Sequence, residues 1–409
     1  MKCRHCHASL DLQFVDLGSA PPSNAYLTAA QLGAPEKWYP LRVFACRECW
    51  LVQTEDYAHH AELFDNDYAY FSSYSASWLE HANRYVEAMV RRFDLGPRSQ
   101  VVEVASNDGY LLQYVQARGI PCLGIEPTAS TARAARDKGL AVREEFFGVE
   151  LAERLVREGL GADLTAANNV LAHVPDINDF VAGFARLLKP QGVATFEFPH
   201  LMRLVAECQF DTVYHEHFSY LSLTAVQRIF RHNGLELFDV EELPTHGGSL
   251  RVYAQRGDTG SRVRQAAVEA LLQRERDAGV STPGYYSGLQ PRADRIKYDL
   301  LRFLIAAKLA GKSVVAYGAA AKGNTLLNYA GVRPDLLRCV VDLNPAKQGK
   351  FMPGSRIPIV DPQQIDALQP DHVLILPWNL KNEVMQQLAR IRAWGGSFVT
   401  AVPQLEVHA

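Results

Sequence analysis

The stretch QVVEVASNDGYLLQYVQARGIPCLGIEPT, residues 100–128, leaves the chain few ways to fold. Val101, Val102 and Val104 make a short β-branched run that halts at Ser106-Asn107-Asp108-Gly109. Tyr110 to Arg118 then has helical spacing, and Leu123-Gly124-Ile125-Glu126 reads as a second strand. A strand, tight turn, helix and strand in that order is a parallel crossover unit. Ligands of such units sit at the carboxyl ends of the strands, against unpaired helix N–H groups, and an acid closing the second strand can accept hydrogen bonds from a ribose diol. Glu126 holds that position. The turn has Gly109 alone, in place of the G-x-G-x-x-G series by which dinucleotide enzymes approach a pyrophosphate.

The alternation continues downstream. A helix over Thr131–Lys138, a strand at Leu140–Arg143, a helix near 150–158 and a strand at Asp163–Ala167 lead to Asn168-Asn169 and His173-Val174-Pro175. A helix (Asp179–Leu188), a turn at Lys189-Pro190-Gln191-Gly192 and a strand (Val193–Phe198) complete the pattern of a doubly wound α/β domain. Residues 260–312 are charged, with an amphipathic helix over Arg292–Lys308. Ser313–Asn324 then opens a second strand, small-residue turn and helix, with further strands at Leu337–Asp342, His372–Pro377 and Ser397–Val402. That turn suits a phosphate, with Lys322 adding charge, or equally a crossover packed on its sheet.

The N-terminus carries a different signal. Cys3-Arg4-His5-Cys6 and Cys46-Arg47-Glu48-Cys49 are paired knuckles, and Cys3, Cys6, Cys46 and Cys49 would close a tetrahedral structural zinc site with no open position for chemistry. Zinc modules often bind nucleic acid, yet residues 1–60 hold 5 Lys/Arg against 6 Asp/Glu, which argues against a polyanion. The whole chain is near neutral, with 42 Lys+Arg and 45 Asp+Glu, so no general attraction to nucleic acid or an anionic membrane is expected. No apolar run spans a bilayer and Met1–Cys6 does not read as a signal peptide, so a cytoplasmic protein is expected.

Three polar runs remain. Residues 57–80, with Tyr68-Ala69-Tyr70-Phe71-Ser72-Ser73-Tyr74, precede a helix over Trp78–Phe93 and suit either a lid over a sugar or cofactor or a tyrosine-packed domain junction. Tyr214-His215-Glu216-His217 lacks the i, i+4 histidines of a helical zinc motif. It fits a proton-abstraction cluster better, with either histidine as base. Thr245-His246-Gly247-Gly248-Ser249-Leu250-Arg251 sets a glycine pair between an imidazole and a guanidinium.

With these residues in view, Glu103 to Gly109 resembles the S-adenosylmethionine-binding turn of class I methyltransferases, in a variant with Asn-Asp-Gly at the bend. The chain as a whole resembles the nucleotide-sugar C-methyltransferases that act on 4-keto-deoxyhexoses. The likeness rests on the two cysteine pairs, Asp16-Leu17-Gly18, Pro22, Phe146-Phe147, His173-Val174-Pro175, Tyr214–Phe218, His246–Arg251 and Tyr317–Gly323. It implies a zinc module with an aromatic lid (1–75), a methyl-donor domain with a class I doubly wound sheet (76–255), and a helical bridge with a Rossmann-like domain that holds the nucleotide sugar (256–409). The donor site would draw on Glu103, Ala105, Asn107, Asp108 and Gly109 in the turn, on Glu126, Pro127 and Phe147, and on Asn168 and Asn169, which with His173 would lie near the reacting carbon. Tyr70, Ser72 and Ser73 would approach the sugar from the N-terminal side. His246, Arg251, Tyr317, Lys322 and Asn324 would bind the rest of the substrate. His217 aligns with the base, and Tyr214, Glu216 and His173 surround the sugar, although position 215 is histidine where some relatives have an acid.

The activity implied is transfer of a methyl group from S-adenosylmethionine to C3 of an NDP-4-keto-6-deoxy sugar through an enolate, by a monomer or small homo-oligomer with a structural zinc. The competing expectations are methylation of a sugar hydroxyl and a zinc-ribbon RNA methyltransferase.

Overall fold

A computed structural model of the protein describes residues 1–55, 71–74 and 76–409, less the side chain of Ala76. Tyr70 and most of the aromatic run lie outside the described residues. Three sheets follow one another along the chain. β1 (Leu12–Ala20), β2 (Tyr39–Ala45) and β3 (Val52–Thr54) pair antiparallel, and the second cysteine knuckle is the turn between β2 and β3.

The helix Ala76–Phe93 comes next. It sets Ala82, Tyr85, Val86 and Met89 inward at helical spacing and buries them with Leu111, Leu112 and Val115. Each large side chain buried in this way stabilises the fold by roughly 1.5–3 kcal/mol. Asp94 ends the helix with φ 51°, and the Leu95 N–H closes the last turn on the Val90 carbonyl at 3.1 Å.

The central sheet contains β4 (Val101–Val104), β5 (Cys122–Ile125), β6 (Val142–Arg143), β7 (Ala162–Asn168) and β8 (Leu188–Pro199). These strands are parallel, and β4 is buried at all four positions, as an inner parallel strand covered on both faces must be. After β9 (Ser219–Tyr220), β10 (Leu235–Leu243) and β11 (Ser249–Arg256) complete the order β10-β11-β8-β7-β4-β5-β6, with β11 antiparallel to both neighbours. The order reverses between β4 and β7, so the ligand crevice of a doubly wound sheet falls at their carboxyl ends.

Two local expectations differ from the structure. The helix after the first turn is only Leu112–Gln116, because Gly109 to Leu111 are spent turning the chain. The turn expected at Lys189–Gly192 is a bulge in β8: Ala162 pairs with Leu188 and Leu164 with Val193, so the intervening residues loop out of register.

Two helices, Ala266–Asp277 and Leu289–Leu309, bridge to the third sheet. It contains β12 (Val314–Tyr317), β13 (Val340–Val341), β14 (Ile359–Val360), β15 (His372–Ile375), β16 (Ser397–Thr400) and the antiparallel β17 (Glu406–His408), in the order β14-β13-β12-β15-β16-β17. The three parts share their interiors. β9 pairs with β3 and so adds the central domain's chain to the N-terminal sheet. Val268, Leu271 and Leu272 of the first bridging helix belong to the core under the central sheet. Leu289, Ile296 and Leu300 of the second join β1 and β2 to the third sheet. None of the described helices is long and apolar enough to cross a membrane.

Candidate active site

The first turn is strained at the end of β4. Ala105, Asn107 and Gly109 all have positive φ, 58°, 50° and 77°. Asparagine and glycine accept this region readily, whereas Ala105 is there at a cost of roughly 1–2 kcal/mol. A Cβ on Gly109 would lie 2.2 Å from Leu140 Cδ1, so only glycine fits.

Glu126 fastens the turn: its carboxylate accepts the Asn107 N–H and the Thr128 N–H, each at 2.9 Å. Burial raises its pKa against those two N–H groups. Around the turn, Ser106 Oγ, Asp108 Oδ1 and Asn169 Oδ1 are buried with no hydrogen-bond partner among the described residues, while Glu103 and Asn168 share the Tyr110 hydroxyl. One orphaned group costs roughly 1–3 kcal/mol. Such atoms at the carboxyl ends of β4 and β7 are ones that a bound polar group could satisfy. Burial also holds the Glu103 carboxyl well above the ordinary range.

Some expected donor and sugar contacts are placed otherwise. The Ser72 N–H donates to Asn107 Oδ1 (3.0 Å) and the Ser73 N–H to Asp108 Oδ2 (3.3 Å), so these serines cap the donor turn. Lys138 ties the same corner through Ser73 Oγ and the Asp108 carbonyl. Phe147 sits under the helix Ile177–Leu187, with its ring centroid 4.7 Å from Phe184 and 5.7 Å from Phe180. An apolar ring gains more from that packing than from the rim of a polar cleft.

The loop from Phe210 to Phe218 brings the imidazoles together. His217 Nδ1–H donates to the Thr212 carbonyl (2.8 Å), which leaves Nε2 to accept from the Tyr214 hydroxyl (2.7 Å). The His173 ring stands edge-on, 4.6 Å from His217. Burial and the neighbouring His173 push the His217 pKa well below the ordinary value, and burial lowers His173 to about 4. Both rings are neutral at pH 7 and can accept protons. His215 is outside this group: its Nε2–H donates to the Tyr39 and Pro40 carbonyls (3.3 and 3.2 Å) and its ring stands against Tyr39.

Glu216, expected around the sugar beside His217, is bonded to the N-terminal segment. Its Oε1 accepts from the backbone and side chain of Asn24 (3.3 and 3.1 Å), and burial raises its pKa. The acceptor that orients the His217 ring is the Thr212 carbonyl.

On the other side of the β7 end, Asn169 (φ 54°) donates through Nδ2 to His246 Nε2 at 3.2 Å. His246 is itself at φ 54°, and burial lowers its pKa to about 4. Beneath it is an ion cluster that the sequence did not reveal. Glu197 Oε2 accepts from His81 Nε2 and Arg251 Nη2, both at 2.9 Å, and Oε1 accepts from the Thr245 hydroxyl at 3.0 Å. Burial pushes the Glu197 carboxyl up, but His81 and Arg251 overcome this and leave it below the ordinary range. Arg251, expected at the substrate, is therefore committed to Glu197 and lies over the Tyr85 ring at 4.8 Å.

The third sheet closes the cleft from its own carboxyl edge. Trp378 Nε1–H donates to the buried Asp211 (2.8 Å), and Lys322 lies over the Trp378 ring (4.7 Å) while donating to Asn379 (2.8 Å). Burial pushes Asp211 up to about 6 against the Lys322 charge, and burial also lowers Lys322. A Cβ on Gly247 would meet Trp378 at 2.6 Å, which explains the glycine beside His246. Thr325 donates to the Val213 carbonyl (2.8 Å), and both amide atoms of Asn324 are buried without a partner among the described residues. Tyr317 instead points to the far face, where its hydroxyl donates to Gln387 (3.0 Å).

The four knuckle sulfurs lie within 4.8 Å of one another, with Cys3–Cys49 and Cys6–Cys46 at 3.5 Å. A zinc ion with four Zn–S bonds of about 2.3 Å requires sulfur separations of roughly 3.8 Å, so the set fits.

Comparison with known proteins gives three family matches: a zinc binding domain over residues 3–64, a methyltransferase domain over 78–240 and a C-methyltransferase C-terminal domain over 244–403. The C-methyltransferase NovU of Streptomyces niveus is 34% identical over 407 residues, 99% of this chain and 96% of that protein. Among solved structures, the magnesium protoporphyrin IX methyltransferase of Synechocystis PCC 6803 overlays at TM-score 0.33 and 16% identity, covering 44% of this chain and 79% of that one. The PH0226 protein of Pyrococcus horikoshii overlays at TM-score 0.37 and 12% identity, covering 49% of this chain and all of that one.

Proposed function

The chain belongs to the family of S-adenosylmethionine-dependent C-methyltransferases with an N-terminal zinc-binding domain, and we propose that its acceptor is C3 of a nucleotide-linked 4-keto-6-deoxy sugar, deprotonated by His217. The observation that carries this reading is the Thr212–His217–Tyr214 chain. It fixes a neutral imidazole with its Nδ1 proton engaged and its Nε2 lone pair turned to a phenol.

A saturated carbon is not nucleophilic until it loses a proton, and an adjacent ketone makes that loss possible by taking the charge onto oxygen. In the substrate complex the Tyr214 O–H turns from Nε2 to the ketone oxygen and frees the lone pair. His217 then takes the C3 proton, and the electron pair left behind becomes an enolate held by Tyr214, with His173 alongside. Thr212 steadies the imidazolium through Nδ1–H. S-adenosylmethionine, when bound among the orphaned groups of the donor turn, supplies an electrophilic methyl group on a sulfur that leaves as a neutral thioether. The cleft side of the third sheet suits the charged end of the substrate: Lys322 and the buried Asn324 amide lie at the N-terminus of the helix Ala321–Ala330, a favourable place for a diphosphate.

The test uses heavy water. With S-adenosylhomocysteine in the donor site no methyl group can transfer, and the enzyme should exchange the C3 proton of the keto sugar for deuterium. With labelled methyl donor, the product should carry a C-methyl group by NMR. An O-methyl product, or no exchange by an enzyme that turns over, would remove the enolate reading.

A further inference from the structure

Arg4 lies inside the first cysteine knuckle, far in sequence from the histidines, yet its side chain is bound to both of their segments. Nη1 donates to the Pro175 carbonyl (3.0 Å), two residues beyond His173, and Nη2 donates to the Thr54 carbonyl (3.1 Å). The guanidinium also covers the ring of Phe218, the residue after His217, at 5.2 Å. Thr54 continues the connection. Its hydroxyl donates to the His217 carbonyl (3.2 Å) and its N–H to the Phe218 carbonyl (3.2 Å), at the point where β3 pairs with β9. The two histidine segments are joined directly by the Phe218 N–H on the Ala172 carbonyl (2.8 Å).

At its other end the strap is tied to the metal ligands. The Arg4 N–H donates to Gln53 Oε1 (2.8 Å), and Gln53 Nε2 donates to Cys3 Sγ (3.2 Å). Gln53 and Thr54 are both buried. Planar and always charged, an arginine holds its partners in a fixed geometry, where a lysine offers a point charge with rotatable donors on a flexible stem.

We infer that Arg4 and Thr54 are positioning residues for the methyl transfer: the knuckle anchors a strap that sets the spacing of His173 and His217. The inference rests on the reading of His217 as base. It gives the zinc domain a part in the reaction without placing the metal in it.

The test compares Arg4→Gln and Arg4→Lys in the full chain, with zinc content, S-adenosylhomocysteine affinity, kcat and KM measured for each. Zinc should stay at about one per chain and donor affinity should be unchanged, while kcat falls about 10-fold or more in Arg4→Gln. Arg4→Lys should recover part of the loss. The imidazole nitrogen resonances of His217, identified by their absence in His217→Asn, should shift in Arg4→Gln. A zinc-loaded Arg4→Gln enzyme with wild-type kcat and unshifted resonances overturns the proposal.

Should Arg4→Gln fail to fold or to hold zinc, Thr54→Val removes only the hydroxyl on the His217 carbonyl. It should still lower kcat several-fold, and wild-type turnover there overturns the proposal equally. In a His217→Asn background Arg4→Gln should add nothing, so a further 10-fold loss would show that Arg4 does not act through His217. Wild-type turnover by His217→Asn alone would instead remove the base assignment.

Discussion

The proposed donor pocket and the proposed acceptor cleft are built in different ways. The pocket is local: Glu103, Ser106, Asp108 and Glu126 come from one strand-turn-helix-strand unit, and Asn168 and Asn169 from the adjoining strand end. The cleft is collected from the whole chain. Asn24 reaches Glu216 across 192 residues, Trp378 reaches Asp211 across 167, and Arg4 reaches Pro175 across 171. A local pocket can be set by its own turn, whereas a collected cleft depends on three packed sheets holding their places. Damage to the pocket should therefore appear as lost donor affinity, and damage to the cleft as lost turnover.

The largest expected effect breaks the cleft at its centre. His217→Asn keeps a polar side chain of similar reach but has no base near neutral pH, so kcat should fall by roughly 10²-fold or more while donor affinity stays within about twofold. His215→Asn is the control two positions away. Its ring only donates to the Tyr39 and Pro40 carbonyls, so its loss should lower thermal stability more than turnover. Near-wild-type turnover in His217→Asn with none in His215→Asn would reverse the assignment.

The complementary change is in the pocket. Glu126→Ala removes the acceptor of the Asn107 and Thr128 N–H groups together with the acid expected at a ribose diol. Charge-assisted hydrogen bonds of this kind are worth ~1.5–3 kcal/mol, so S-adenosylhomocysteine should bind roughly 10- to 100-fold more weakly by calorimetry. The kcat at saturating donor should change much less. A variant with unchanged affinity would mean that the turn holds its shape without its acid, and the contrast between pocket and cleft would then have no energetic basis.

Legibility in the sequence follows the same division. The unit around residues 100–128 could be read because its strand, its bend at Gly109 and its closing acid are consecutive, and the zinc site because cysteine spacing alone restricts the geometry. The cluster of Glu197, Arg251 and His81 could not, since Arg251 is 54 residues from Glu197 and His81 is 116. The available signal was a lone glutamate in the apolar strand Val193–Phe198, which demands a cation somewhere. Arg251, expected at the substrate, and Glu216, expected around the sugar, each hydrogen-bond to a segment far away in sequence. Adjacency in sequence says nothing about which distant segment a side chain meets, here Asn24 for Glu216 and Glu197 for Arg251. Ser72 and Ser73 show the converse case, because their backbone N–H groups, and not their hydroxyls, engage the donor turn.

The smallest expected effect sharpens the comparison through acidity. In the cleft, burial lowers His173 and His246 to about 4, below an unfolded value of about 6.5. Between those values the unfolded chain binds protons that the folded chain refuses, so stability falls as pH drops from about 6.5 toward 4. In the pocket, burial raises Glu103 well above its unfolded value and raises Glu126 as well, so the folded chain binds the extra protons and stability rises as pH drops through the folded values. The cleft also holds carboxyls that burial raises, Asp211 to about 6 and Glu216, so its imidazoles are opposed from within the cleft as well as from the pocket, each proton contributing at most about 1.4 kcal/mol per pH unit. Removing one side should expose the other. Relative to wild type, His173→Asn should lose less stability as pH drops from about 6.5 toward 4 and Glu103→Gln should gain less as pH drops through the folded Glu103 value, and Glu103→Gln should also melt higher than wild type at pH 7, where the buried carboxyl no longer has to ionise or hold its proton. The same pH slope in both variants would show that neither region's titrating groups are as dry as their burial implies.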